Sequence, residues 1–116
     1  MILGIQATKN FSDYSVFLRA MRVALSDMKD EDKSIVIFSA GPANLNAMGL
    51  EFCNVSENSL KARGISIKFI KLSPGMLKDK MIELDYFAFF SEPKESVSGL
   101  VREAEDKDIE VGIFRY

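Results

Sequence analysis

Ile35-Val36-Ile37-Phe38-Ser39-Ala40-Gly41-Pro42-Ala43-Asn44-Leu45-Asn46-Ala47-Met48-Gly49 joins a β-branched apolar run to a helical one through a turn of small residues. A strand that passes directly into a helix sets unpaired backbone N–H groups and the positive end of the helix dipole at its carboxyl end. Such a turn suits an anion such as phosphate and needs no dedicated side chain. Gly and Pro also make any crossover turn readily, so the rest of the chain must say whether this one serves a ligand.

Outward from that stretch, strand-like and helix-like patterns alternate. Ile2 to Ala7 reads as a first strand, thinned at Gly4 where a backbone or ligand approaches. Ser12 is placed to cap a helix with Tyr14, Phe17, Leu18, Met21, Leu25 and Met28 along one stripe. Ser34 to Phe38 forms the second strand, and a long helix from about Asn44 to Arg63 ends at Gly64. Ile65 to Leu72 alternates as a third strand with one wetter face, suited to a sheet edge. Ser73-Pro74-Gly75 breaks the chain before a short helix from about Met76 to Leu84, and Tyr86 to Phe90 follows as a fourth strand. Ser96 is placed to cap a last helix with Val97, Leu100, Val101 and Ala104 inward, and Glu110 to Phe114 closes the series.

That order, β-α-β-α-β-α-β-α-β, predicts one α/β domain over residues 1–116. The expected fold is a Rossmann-like three-layer sandwich: a five-stranded, mostly parallel sheet with helices on both faces. Ligands of such sheets bind beyond the carboxyl ends of the strands, where strand order reverses. The loops Ala7 to Asn10, Ser39 to Asn44 and Ser91 to Ser98 converge there and are rich in small or polar residues.

Composition narrows the chemistry. The 116 residues include no His and one Cys, so His-based triads, zinc sites and intramolecular disulfides are excluded, and Cys53 reads as a buried thiol. A net charge of −2 disfavours nucleic acid as a partner. No apolar run approaches a membrane span and the amino terminus lacks a signal-peptide pattern, so no membrane partner and a cytoplasmic location are expected. Asp79 and Glu83 read as an exposed helical pair with Asp85 beyond it, so no metal is expected, and no cofactor is implied. A receiver-domain reading fails, because Gln6-Ala7 and Lys71-Leu72 stand where acidic residues are needed.

Gly4 to Tyr14, the Ser39-Ala40-Gly41 turn, Lys61-Ala62-Arg63-Gly64-Ile65 and Met81 to Asp85 before an apolar strand together resemble the SLOG superfamily. The nearest resemblance is to its small YspA-like, Rossmann-type members. It implies a nucleotide or nucleotide-derived ligand bound by backbone-rich loops. The chain departs from that pattern at Gln6-Ala7-Thr8, where members carry Gly-Ser-Arg, and so lacks a bidentate phosphate clamp; Lys9 is the nearest substitute. The related LOG-type phosphoribohydrolases carry Pro-Gly-Gly-x-Gly-Thr-x-x-Glu, of which Gly99 and Glu103 keep the spacing.

The expected function is therefore ligand binding without catalysis, as a sensor, carrier or sequestering protein. Ser39, Ala40, Gly41, Pro42, Ala43 and Asn44 are the candidate phosphate contacts, with Gln6, Thr8 and Ser98 from neighbouring loops. A nucleoside-monophosphate N-glycosidase using Glu103 is the catalytic alternative, and a protein-interaction module with a vestigial crevice is the third. Phe52, Val55 and Leu60 on the long helix suggest a homodimer.

Overall fold

The computed structural model describes residues Met1–Tyr116. Five strands, β1 (Ile2–Ala7), β2 (Ser34–Ser39), β3 (Ser66–Lys71), β4 (Tyr86–Ser91) and β5 (Glu110–Arg115), form one sheet in the order β3-β2-β1-β4-β5. All four pairings are parallel, with Leu3 opposite both Ile37 and Tyr86. Strand order runs outward from β1 to β3 and then returns past β1 to β4. The reversal lies between β1 and β4.

The two faces are covered in sequence order. Helices α1 (Tyr14–Leu25) and α2 (Ala43–Ala62) lie on one face, where Phe17, Ala20, Met21, Leu45 and Met48 pack with Leu3, Ile5, Ile35 and Ile37. Helices α3 (Pro74–Asp79) and α4 (Gly99–Asp106), with a 3₁₀ turn at Met81–Glu83, cover the other. There Leu77, Met81, Leu84, Leu100, Val101 and Ala104 meet Phe38, Phe87 and Phe89. Right-handed crossovers produce this division, because reversing the direction of strand addition moves the connecting helix to the opposite face. β4 is buried along its whole length, as a strand covered on both sides should be. β3 is an edge strand, in keeping with its alternating pattern.

Local boundaries differ from the sequence reading at three helices. Asp13 rather than Ser12 caps α1, its carboxylate accepting from the Ser15 and Val16 N–H groups at 3.0 and 3.2 Å. A charged acceptor suits the positive helix end better than a hydroxyl. Ser98 rather than Ser96 caps α4, because the chain turns at Glu92 to Glu95 and the extended Ser98 presents its hydroxyl to the Leu100 N–H; Val97 lies outside the helix and is exposed. The third helix tightens after Asp79, which separates Asp79 from Glu83, and Asp85 accepts from the Ile2 N–H at 2.8 Å. The space beside Gly4 is filled by Leu84 and Phe87, so the protein's own side chains, not a ligand, make the close approach there.

The Asp13 cap predicts a pH dependence. Its hydrogen bond with Ser15, followed by that with Val16, holds the carboxyl below its ordinary value. The depressed pKa means the cap stabilises the fold above the usual Asp range and that this contribution fades as pH falls through the folded-state value. Asp13→Ala is expected to lower Tm at neutral pH, with the gap from wild type closing in acid. A gap of equal size at every pH, measured by thermal denaturation, would show that the carboxylate is not the source.

Candidate functional site

The loops after β1, β2 and β4 are hydrogen-bonded together. The Ala7 N–H donates to the Gly41 carbonyl at 3.1 Å and the Thr8 N–H to the Phe90 carbonyl at 2.8 Å. Asn10 donates from Nδ2 to Glu92 Oε1 at 3.2 Å. Thr8 and Tyr116 share a hydrogen bond between their hydroxyls, and Tyr116 donates in turn to Glu92 Oε1. The Thr8 hydroxyl is thus engaged in a clasp between strand ends.

The β2–α2 turn is built from inside. Ser39 is fully buried; its Oγ donates to Asn46 Oδ1 at 2.5 Å and accepts from the Gly41 N–H at 3.2 Å. The Ala40 N–H donates to the Ile5 carbonyl. Gly41 is required by its φ of 85°, a region that L side chains rarely adopt, whereas a Cβ there would meet open space. The donors of Ala40 and Gly41 therefore serve the turn. Pro42 stands at the cap of α2 and places no side-chain acceptor on its first N–H groups, which begin at Ala43 and Asn44. Ala43 also borders a cleft of about 460 Å³ with Leu50, Phe69 and Lys71, toward the β3 edge.

A second cleft, smaller and more open at about 350 Å³, lies between α3 and α4 at the carboxyl end of β1. Its lining includes Gln6, Gly75, Lys78, Ser98, Gly99 and Glu103. Two depressions of about 250 and 410 Å³ sit at the opposite edge of the sheet, around Asp85 and Glu110 and around Leu60 and Ile65. The cleft differs from them in adjoining the reversal of strand order, where parallel sheets leave a crevice between divergent loops.

Three polar groups give the cleft its character. Gln6 Oε1 is buried without a hydrogen-bond partner. Leaving such an acceptor unpaired costs about 1–3 kcal/mol. Glu103 is held by Lys107, whose Nζ donates to Oε1 at 2.5 Å, and that hydrogen bond keeps its carboxyl below the usual range. It is an ionised acceptor at neutral pH. Lys78 lies close enough to Glu103 to favour the same charge state, yet takes no part in the two ion pairs, Lys80–Glu83 and Lys107–Glu103. Ser98 Oγ is engaged in accepting from the Leu100 N–H at 3.0 Å.

The structure therefore gathers Gln6, Ser98 and Glu103 in one cleft and leaves Thr8, Ser39 and Ala43 elsewhere. Gly75 and Lys78, which also line the cleft, follow Ser73-Pro74, a stretch that reads as a simple breaker. The right-handed crossover from β3 to β4 was the available signal, since it carries α3 across the sheet to the strand reversal. Cys53 is buried on α2, and burial pushes its thiol up to about 11, which leaves it unreactive. No helix is long and apolar enough to cross a membrane. Phe52 and Leu60 pack against the core, leaving Val55 as the exposed member of the three apolar residues considered for self-association. The chain matches no family model, no curated protein and no solved structure, so the SLOG resemblance rests on the quoted motifs.

Proposed function

We propose that the protein binds a nucleotide or nucleotide-derived small molecule in the cleft between α3 and α4 and does so without catalysis, as a sensor, carrier or sequestering protein. The buried, unpartnered Oε1 of the half-buried Gln6 at the strand reversal carries this reading. A buried acceptor left unpaired destabilises the unliganded fold, and a ligand that draws the amide into a hydrogen bond recovers the loss. Lys78 offers a counter-charge for an anionic group, while Glu103 and Gln6 offer acceptors for hydroxyl or amino donors. The uncapped start of α2 adds a second anion-compatible feature on the same edge of the sheet.

Thermal denaturation against a panel of nucleotides, cyclic nucleotides and ADP-ribose-like compounds tests the proposal, because a ligand of the native state raises Tm by mass action. At least one compound is expected to do so. Gln6→Met is expected to stabilise the free protein by about 1 kcal/mol, since it removes the orphan acceptor at similar volume, and to weaken the ligand response. A panel without any stabilising compound sinks the proposal.

Glu103 on the cleft wall favours one second reading, hydrolysis of a nucleoside monophosphate to free base. An ionised carboxylate there would stabilise positive charge developing on the ribose. Base release abolished by Glu103→Gln is its required signature. Intact nucleoside monophosphates after prolonged incubation with wild type eliminate it.

A further inference from the structure

Between Glu57 and Asp79 the chain carries five cationic residues, Lys61, Arg63, Lys68, Lys71 and Lys78, and no acidic one, although the protein as a whole has a net charge of −2. Four of them gather at one edge of the sheet. Lys61 and Arg63 close α2, and Lys68 and Lys71 lie on β3, the edge strand that follows. All four are exposed, and none takes part in an ion pair. β3 pairs with β2 alone, so one side of its backbone has no strand to meet. The Ser66 and Leu72 N–H groups donate to the Lys33 and Ser39 carbonyls on the β2 side. Successive residues of a strand direct their N–H and C=O groups to opposite sides, so those of Ile67, Phe69 and Lys71 face outward. The side chains of Ile67 and Phe69 lie on the α2 face of the sheet. Beside them run two clefts, one of about 360 Å³ lined by Lys61, Ile65 and Ile67 among others, and the 460 Å³ cleft of Leu50, Phe69 and Lys71. Leu50 is 52% exposed there. The other edge strand, β5, contributes only Glu110 to any cleft.

We infer that the free edge of β3 docks an extended acidic peptide of a partner protein, which joins the sheet as a sixth strand. The peptide main chain meets the outward groups of Ile67, Phe69 and Lys71, and its alternate side chains enter the two clefts. Ile67 in one cleft and Phe69 in the other are two residues apart, which is the spacing of same-face side chains along a strand. Apolar side chains suit Ile67, Leu50 and Phe69, and carboxylates suit Lys61, Lys68 and Lys71. A second copy of the chain suits them poorly, because antiparallel pairing of two β3 strands brings the lysines of both together. Edge lysines of this kind discourage self-association, and the same charge selects an acidic strand. Nucleic acid would meet the lysines but has no alternating apolar side chains for the clefts. The surface lies on the opposite face of the sheet from the α3–α4 cleft, so the inference does not rest on a ligand there.

Short synthetic peptides test it, titrated by calorimetry and followed by amide hydrogen exchange: valine alternating with glutamate, valine alternating with lysine, and the glutamate and valine residues regrouped into blocks. The alternating glutamate peptide is expected to bind at least about tenfold more tightly than either control and to weaken as salt is raised. Its binding should slow exchange at the Ile67, Phe69 and Lys71 amides, while those of Lys68 and Ile70, which face β2, change little. The double variant Lys68→Glu, Lys71→Glu should keep the wild-type Tm, since both side chains are exposed, and should prefer the lysine peptide. Leu50→Asp should lose about tenfold in affinity for the glutamate peptide.

Absence of binding overturns the inference, as does binding that leaves exchange at the three outward amides unchanged. Equal affinity for the glutamate and lysine peptides overturns it by removing the acidic partner. Slowed exchange at the same amides in wild type alone, with a doubled mass in sedimentation at high concentration, assigns the edge to a second copy and overturns it. A single-stranded oligonucleotide that displaces the glutamate peptide and binds more tightly assigns it to nucleic acid, with the same result. Should the double variant lose Tm, the exchange pattern of wild type decides.

Discussion

Phe90→Ala is expected to destabilise the protein by about 3–5 kcal/mol, a large share of the 5–15 kcal/mol typical of a domain. Phe90 is fully buried at the centre of an aromatic cluster, with ring centroids 4.5 Å from Phe11, 5.8 Å from Phe17 and 5.7 Å from Phe114. Those rings come from the loop before α1, from α1 itself and from β5, and no one neighbour can relax into the space without leaving another. The same cluster anchors the loop ends, since the Phe90 carbonyl accepts from the Thr8 N–H. Urea denaturation should show a much lower midpoint with little change in slope. A midpoint within the error of wild type would mean that the cluster is not the core of this face.

Gly4→Val produces the opposite fault, on the opposite face. Gly4 lies in β1, the central strand, and a Cβ there would sit 2.5 Å from Leu84 Cδ1 and 3.0 Å from Phe87 Cδ1. Leu84 can swing its end aside for one methyl, but the branched side chain of Val fills more than one direction. Phe87 is itself fully buried and has nowhere to go. Overpacking of this kind costs about 1–3 kcal/mol. Gly4→Ala should lie between wild type and Gly4→Val in denaturation midpoint. Equal stability across all three would show that the packing around β1 is loose.

Pattern and period carried the architecture well. Apolar runs such as Ile35-Val36-Ile37 and Tyr86 to Phe90 read as buried strands because a parallel sheet wets neither face, and they are buried strands. Helix starts were less legible. Ser12, Ser96 and Ser98 are all competent caps, and what selects among them and Asp13 is tertiary: where Phe11 stacks on Phe90, and how far the Glu92 to Glu95 turn carries the chain before α4. The candidate site was legible in part. Gln6 stands out as the polar residue within an apolar first strand, and Gly99 and Glu103 are marked only by the resemblance to the LOG-type motif. Lys78 offered no such mark, because its place beside Glu103 depends on a crossover that brings α3 to α4 from another part of the chain. The Ser39 to Gly41 turn looked like a ligand cradle, yet its donors close on Ser39 and Ile5; a sequence does not reveal which N–H groups a turn spends on itself.

The order in which the two faces receive their cover also bears on biosynthesis. A nascent chain that has just emerged through Lys71 owns β1, β2 and β3 and the two helices of one face. Ile2, Val36, Phe38 and Ile70 belong to the other face, and their covering residues, from Leu77 to Ala104, are still to be made. The inner edge of β1 is likewise open until β4 arrives, and that edge and oily face together are a template for association with other chains. For this protein the hazardous interval of synthesis is therefore the stretch after Lys71, and a stalled or truncated product ending there is the form most in need of a chaperone.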